Sequence, residues 1–246
     1  MFIVRFIANT VIFAIELAAV VGVAWLGWRY PMALAALAGA LSLVMGLWLE
    51  RARIRNELGF YFGRGVETLS VIGAFFALGN ALVKAVVAAF ITLLTFSGTD
   101  TNRLWLVAVV FGACLFAGTS LLRRLSIVFD TNPSRWGYFR LAGPLGLLYS
   151  AAVSFLPHAS TAEIGRRLLL DTPARPNLAQ ASELMFVLKQ KFDDIVVGMI
   201  GLYLPPDAAK IAGVFVSVNM LTGFAIGVFA VAIAELVRRM ELGARV

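Results

Sequence analysis

Six stretches of this chain, residues 6–28, 32–49, 67–96, 104–122, 139–156 and 209–237, are apolar over nearly their whole length. A helix needs roughly 20 such residues to cross the ~30 Å hydrocarbon core of a bilayer, and there each backbone polar group must be satisfied within the helix. The pattern predicts an all-α, polytopic integral membrane protein with six transmembrane helices. Composition agrees: 61% of the 246 residues are hydrophobic and 14% are charged, against about 25% charged in soluble domains. A soluble domain of this size lacks the polar surface to cover so much apolar side chain. Disorder, a disulfide-stapled secreted module and an ordinary cytosolic enzyme are excluded on the same grounds. Cys114 is the sole cysteine and lies in an apolar run, so no intrachain disulfide forms. The first apolar stretch carries Asn9 and Glu16 and lacks a small-residue cleavage site, so it reads as a retained span rather than a signal peptide.

The net charge of +7 orients the chain and does not mark a nucleic-acid surface. Arg51, Arg53, Arg55 and Arg64 follow the second span, Arg123, Arg124, Arg135 and Arg140 separate the fourth from the fifth, and Arg238, Arg239 and Arg245 follow the sixth. The short connections on the opposite side offer only Arg29 and Arg103. Basic loops stay cytoplasmic, which puts both termini on the cytoplasmic side of a cell membrane, expected to be a bacterial inner membrane. Trp25, Trp28, Trp48, Trp105 and Trp136 fall near span ends, as interfacial aromatics do. The expected organisation is a four-helix transmembrane bundle over residues 1–130. It is followed by a two-helix module over residues 131–246 with an external helical loop, residues 157–208.

That loop contains an amphipathic stretch, residues 161–170, a break at Pro173 and Pro176, and a second candidate helix, residues 177–192. The apolar run 195–204 then lies between Asp193-Asp194 and Pro205-Pro206-Asp207. It is too short to cross, so it is either a re-entrant segment carrying Asp194, Gly198, Gly201, Tyr203 and Asp207 or a run packed on the outer face of the bundle.

Ionisable side chains inside spans cost several kcal/mol and call for a reason. Glu16 and Lys84 are the two clear cases, at matching depths if counted from the cytoplasmic ends. The expectation is an intramembrane Glu16–Lys84 pair that fixes packing, with a charge in an ion or proton path, or no contact, as alternatives. Asn9 and Asn80 suit interhelical hydrogen bonds. In the last span Asn219 and Thr222 stand beside Gly223 and Gly227, a small-xxx-small spacing that permits close helix packing or a pore-lining hinge.

Catalytic constellations are weak. His158 has no His or Cys neighbour with which to share a metal. Asp193-Asp194 lacks a further carboxylate at helical spacing and reads as an N-terminal cap for the apolar run. Gly59, Gly63 and Gly65 follow no strand and have no P-loop lysine. The chain is expected to be no enzyme and to use no cofactor or metal.

The segment from Phe192-Asp193-Asp194 through Pro205, then Ala209-Lys210-Ile211-Ala212, Gly223 and Arg238-Arg239, resembles the pore module of the tetrameric cation-channel superfamily in the order of its elements. The resemblance covers residues 139–240 and implies a pore helix and filter loop entering from outside, with the last span lining a pore. The stretch Gly198-Met199-Ile200-Gly201-Leu202-Tyr203-Leu204-Pro205 stands where a potassium channel carries T-V-G-Y-G-D, and the fourth span has no arginine at every third position. The resemblance therefore implies neither potassium selectivity nor a voltage sensor. Two functions are expected to compete: a channel-like or transport subunit with Asn219, Thr222 and Asp207 facing water, and a non-catalytic assembly subunit of a membrane complex. Expected partners are membrane lipid and either further copies of the chain or other membrane subunits, with no nucleic acid.

Overall fold

The computed structural model describes residues 2–61, 69–98, 101–129, 132, 138–156 and 178–243. His158, Arg64, Arg135, Trp136, Arg245 and the stretch 161–170 lie outside the described residues. Eight α-helices and one 3-10 turn make up the described chain: α1 (Phe2–Arg29), α2 (Pro31–Tyr61), α3 (Leu69–Thr95), α4 (Thr101–Val128), α5 (Tyr138–Ser154), α6 (Leu178–Gly201), α7 (Pro206–Val216), the 3-10 turn Val218–Leu221, and α8 (Thr222–Gly243).

Single residues decide several of the boundaries. Tyr30 alone separates α1 from α2, because Pro31 has no N–H to continue the first ladder and its fixed φ suits the first position of the next. Pro206 opens α7 in the same way, with Asp207 in the first turn where a carboxylate meets the positive end of the helix dipole. Gly98, at φ 116°, makes the turn between α3 and α4 that a side chain would strain.

Among the described residues five segments are long and apolar enough to cross a membrane: Asn9–Arg29, Pro31–Ile54, Gly73–Thr95, Thr101–Val128 and Pro206–Leu242. The chain is thus a multi-pass, all-helical membrane protein. The expected fifth span, residues 139–156, forms the 17-residue α5 with Pro144 inside it, shorter than the roughly 20 residues a straight crossing takes.

Helix α8 is the hub. It packs against α1, α2, α3, α4 and α5, and Ala225, Ile226, Val228, Phe229, Ala230 and Ala234 along it are buried. The core is continuous across residue 130, since Leu34, Phe111, Leu115, Leu145 and Phe229 belong to one cluster. Phe111 is its aromatic centre, edge-on to Phe96, Tyr149 and Phe229 with ring centroids 5.2, 6.5 and 6.5 Å away, the geometry that aromatic quadrupoles favour. Helices α5 and α8 approach each other backbone to backbone. A Cβ added to Gly223 would stand 1.9 Å from the Ala142 carbonyl oxygen and 2.4 Å from the Gly146 nitrogen, and one added to Gly146 would stand 1.9 Å from the Met220 carbonyl oxygen. Gly227, one turn on, is buried as well.

Candidate functional site

The last apolar segment, expected to be an unbroken span over residues 209–237, is broken. Helix α7 ends at Val216, Ser217 takes an extended conformation (φ −58°, ψ 141°), and the 3-10 turn Val218–Leu221 leads into α8. A break exposes N–H groups that the ladder no longer satisfies. Here Asp193 of α6 satisfies them from across the fold: its carboxylate accepts from the Val218 N–H and the Ser217 hydroxyl, each at 2.8 Å, and from the Asn219 amide at 3.4 Å. The Ser217 hydroxyl oxygen in turn accepts from the Asn219 N–H at 3.1 Å. Ser217 and Asn219 are residue types that compete with helix for backbone partners, so the break falls where the apolar segment carries them.

This arrangement corrects two expectations. Asp193-Asp194 does not cap a helix over 195–204, because both residues lie inside α6, which runs unbroken from Leu178 to Gly201. Residues 195–204 do not form a separate re-entrant loop either. Asp194, Gly198 and Gly201 belong to α6, Tyr203 is exposed in the turn after it, and Asp207 begins α7. Nothing between Phe192 and Gly201 breaks a helix, and the Asp193 carboxylate has a partner across the fold rather than at a helix end. Helices α6 and α7 pack on each other as a hairpin at the end of the bundle that holds Gly98 and Arg103.

Between this hairpin, the second half of α5 and the start of α4 lies a cavity of about 880 Å³. Phe186 lines it, packed on the glycine turn (3.7 Å from the position of a Gly98 Cβ) and against the Arg103 guanidinium, 4.1 Å from the ring centroid. Such stacking holds a guanidinium in place. The Gln190 amide, with its oxygen turned inward, lies 2.8 Å from both terminal nitrogens of Arg103. Lys189, Lys210 and Asp194 also line the cavity, with Val197, Val214 and Phe215 among the apolar walls. Lys189 is the innermost of the lysines; burial disfavours its ammonium, and its pKa falls from 10.5 to about 8, with Asp193 opposing the shift and Arg103 adding to it.

The charged residues expected inside the spans find other partners. Lys84 pairs with Glu50, and Glu16 with Arg123, which also binds Glu241. The Glu16–Lys84 pair is corrected for a packing reason: α3 lies chiefly against α2 and α1 chiefly against α4. Both carboxylates are deeply buried, Glu16 at 1% and Glu50 at 2% exposure, so each needs its cation. Asn9 and Asn80 are exposed on the outside of the bundle. Thr222 does not face water; it is 1% exposed and its hydroxyl shares a 2.9 Å hydrogen bond with that of Thr95, tying α8 to α3. Asn219 does line the cavity.

Sequence reasoning missed Lys189 and Arg103 as parts of one site. The available signals were the Lys189–Asp193 spacing of one helical turn and the two cap-forming residues, Ser217 and Asn219, inside an apolar stretch. Among the described residues no group of three or more His, Cys, Asp or Glu stands together to hold a metal. No family model, curated protein or solved structure matches the chain.

Proposed function

We propose that this chain is a transport-type subunit, channel-like in layout, whose solute-handling site is the charged cavity beside the break at Ser217. One observation carries the reading: the break in a membrane-crossing segment, held by a carboxylate from another helix, opens onto a cavity lined by Arg103, Lys189 and Lys210. Irregular backbone at a span is costly unless it lines a cavity or is buried in protein, and discontinuous helices are where transporters bind their solutes. In this reading α5, the expected fifth span, also crosses and brings the number of spans to six, supported along its length by the close pairing with α8. Both termini are cytoplasmic, in line with the arginines in the C-terminal parts of α2, α4 and α8, and the cavity faces outward.

Single cysteines in a Cys114→Ser background test it. A membrane-impermeant thiosulfonate applied from outside should modify Asn219→Cys quickly and Thr222→Cys hardly at all. Protection of position 219 from the outside reagent sinks the outward cavity.

The competing reading, an assembly subunit, draws on the outer stripe of α6, where Leu188, Phe192, Ile195 and Met199 are exposed. Stoichiometric co-purification of unrelated membrane chains, lost on Phe192→Ser, would favour it.

A further inference from the structure

The polar groups around the cavity divide into those already committed within the protein and those that are not. Asp193 and Asn219 are spent on the break. The Ser150 hydroxyl donates to the Val214 carbonyl at 2.9 Å and the Ser154 hydroxyl to the Ala151 carbonyl at 2.7 Å. Gln190 and Phe186 engage Arg103. Lys210 and Asp194 are exposed at the rim, where water serves them. Lys189 is different: it is half-buried, lines the cavity, and forms no hydrogen bond or close ion pair among the described residues, its charge being met by Asp193 one helical turn on, whose carboxylate is already engaged at the break. An ammonium withdrawn from water whose nearby carboxylate is already engaged at the break is poorly compensated, and the wall beyond it is apolar, from Val197 to Val214 and Phe215. Its volume lies within the range of small-molecule sites, ~300–1,000 Å³.

We infer that the cavity binds an amphipathic anion, an acidic head group placed against the Lys189 ammonium with Arg103 behind it, and an apolar chain along α6 and α7. The inference rests on the transport reading and names the class of solute for the same site. A carboxylate head, as in a free fatty acid, and a phosphate head, as in an anionic lipid, share the required chemistry. Charge decides against cations: Asp193 is occupied, so the one uncommitted carboxylate is the rim residue Asp194.

The test uses the full chain in phosphatidylcholine nanodiscs with 11-(dansylamino)undecanoate as fluorescent probe. Dodecanoate or dodecyl phosphate should displace it, the better of the two naming the head group. Dodecyltrimethylammonium and inorganic phosphate at equal concentration should not. Lys189→Met should weaken probe binding roughly tenfold or more, the loss expected for one charge-assisted hydrogen bond. Lys189→Arg should restore it, which guards against a merely misfolded variant, and Lys191→Met, exposed on the same helix, should leave it unchanged. Binding should also fade as pH rises through about 8, since Arg103 on α4, Asp193 and Asp194 on α6 and Lys210 on α7 are the charged groups facing Lys189, and α5 presents serines.

Displacement by the cation as readily as by dodecanoate, full displacement by inorganic phosphate, or equal loss in Lys189→Met and Lys191→Met overturns the inference. Thiol labelling at position 219 involves no anion and probe binding involves no flux, so this inference and the transport reading can fail separately.

Discussion

Replacing Gly223 by alanine inserts one methyl group where α5 and α8 touch through their backbones. The added Cβ would lie 1.9 Å from the Ala142 oxygen and 2.7 Å from the Gly146 Cα, whereas ordinary contact begins near 3.5 Å. Relieving the clash requires the two helices to part by about 1.5 Å. The obstructing atoms are backbone, so no rotamer change can absorb the strain. Overpacking of this kind costs ~1–3 kcal/mol, and the upper end applies where only helix displacement helps. Alanine returns up to about 1 kcal/mol of helix propensity, which leaves a net loss of about 2 kcal/mol. At roughly 2–4 °C per kcal/mol for a chain of this size, Tm should fall by about 4–8 °C. Cys114 is buried and is the sole cysteine, so heating with a fluorogenic maleimide reports loss of the core directly. The control is Gly79→Ala, where a Cβ meets nothing within 4 Å and Tm should hold or rise. Gly146→Ala should cost a similar amount, and the double variant less than the sum, because one separation of the helices relieves both clashes. A Gly223→Ala protein at wild-type Tm, or an equal fall in Gly79→Ala, would refute the reasoning.

What the sequence made legible follows from the range of each interaction. Membrane spans are set by local hydrophobicity, so residues 6–28 and 104–122 could be read directly and reappear within α1 and α4. Gly223 could also be read as a packing residue, because a small side chain on a span has few other uses; its partner Gly146 could not, since no pattern in α5 says which face meets α8. Partner choice is a tertiary property throughout. Equal depth suggested Glu16 and Lys84 as a pair, but depth is one coordinate, and the helix neighbours that decide the matter follow from packing. The break at Ser217 was missed because its cause lies 24 residues upstream: Asp193 satisfies the broken ladder, and its position inside α6 gives no local sign of doing so. Beside Ser217 and Asn219 themselves, the overlength of the last apolar segment, 37 residues in Pro206–Leu242 where roughly 20 suffice, was a further clue.

Three further outcomes test these contacts. Asp193→Ala removes the acceptor for the Val218 N–H and the Ser217 hydroxyl, a loss of ~1–3 kcal/mol, and amide exchange over residues 217–221 should quicken while that of α8 beyond Phe224 stays slow; unchanged exchange at the break would remove Asp193 as its support. Acetylation of Lys189 by acetic anhydride, followed by mass spectrometry, should rise with pH and level off with a midpoint near 8 instead of 10.5, and a rate still climbing at pH 10 would contradict that. The sign for stability is fixed by the same shift: between pH 8 and about 10.4 the unfolded chain holds a proton that folded Lys189 has released, so this residue makes stability increase with pH across that window. The last outcome concerns the buried carboxylates and separates true partners from equal depth. Lys84→Met alone strands Glu50, and Arg123→Met strands both Glu16 and Glu241, so each single change should cost ~3 kcal/mol. In double-mutant cycles Lys84→Met with Glu50→Gln, and Arg123→Met with Glu16→Gln, should each show coupling of about 1–3 kcal/mol. Lys84→Met with Glu16→Gln should add within ~0.5 kcal/mol. Strong coupling between positions 16 and 84 would mean that α1 and α3 meet face to face, and the helix order derived from α8 as hub would have to be redrawn.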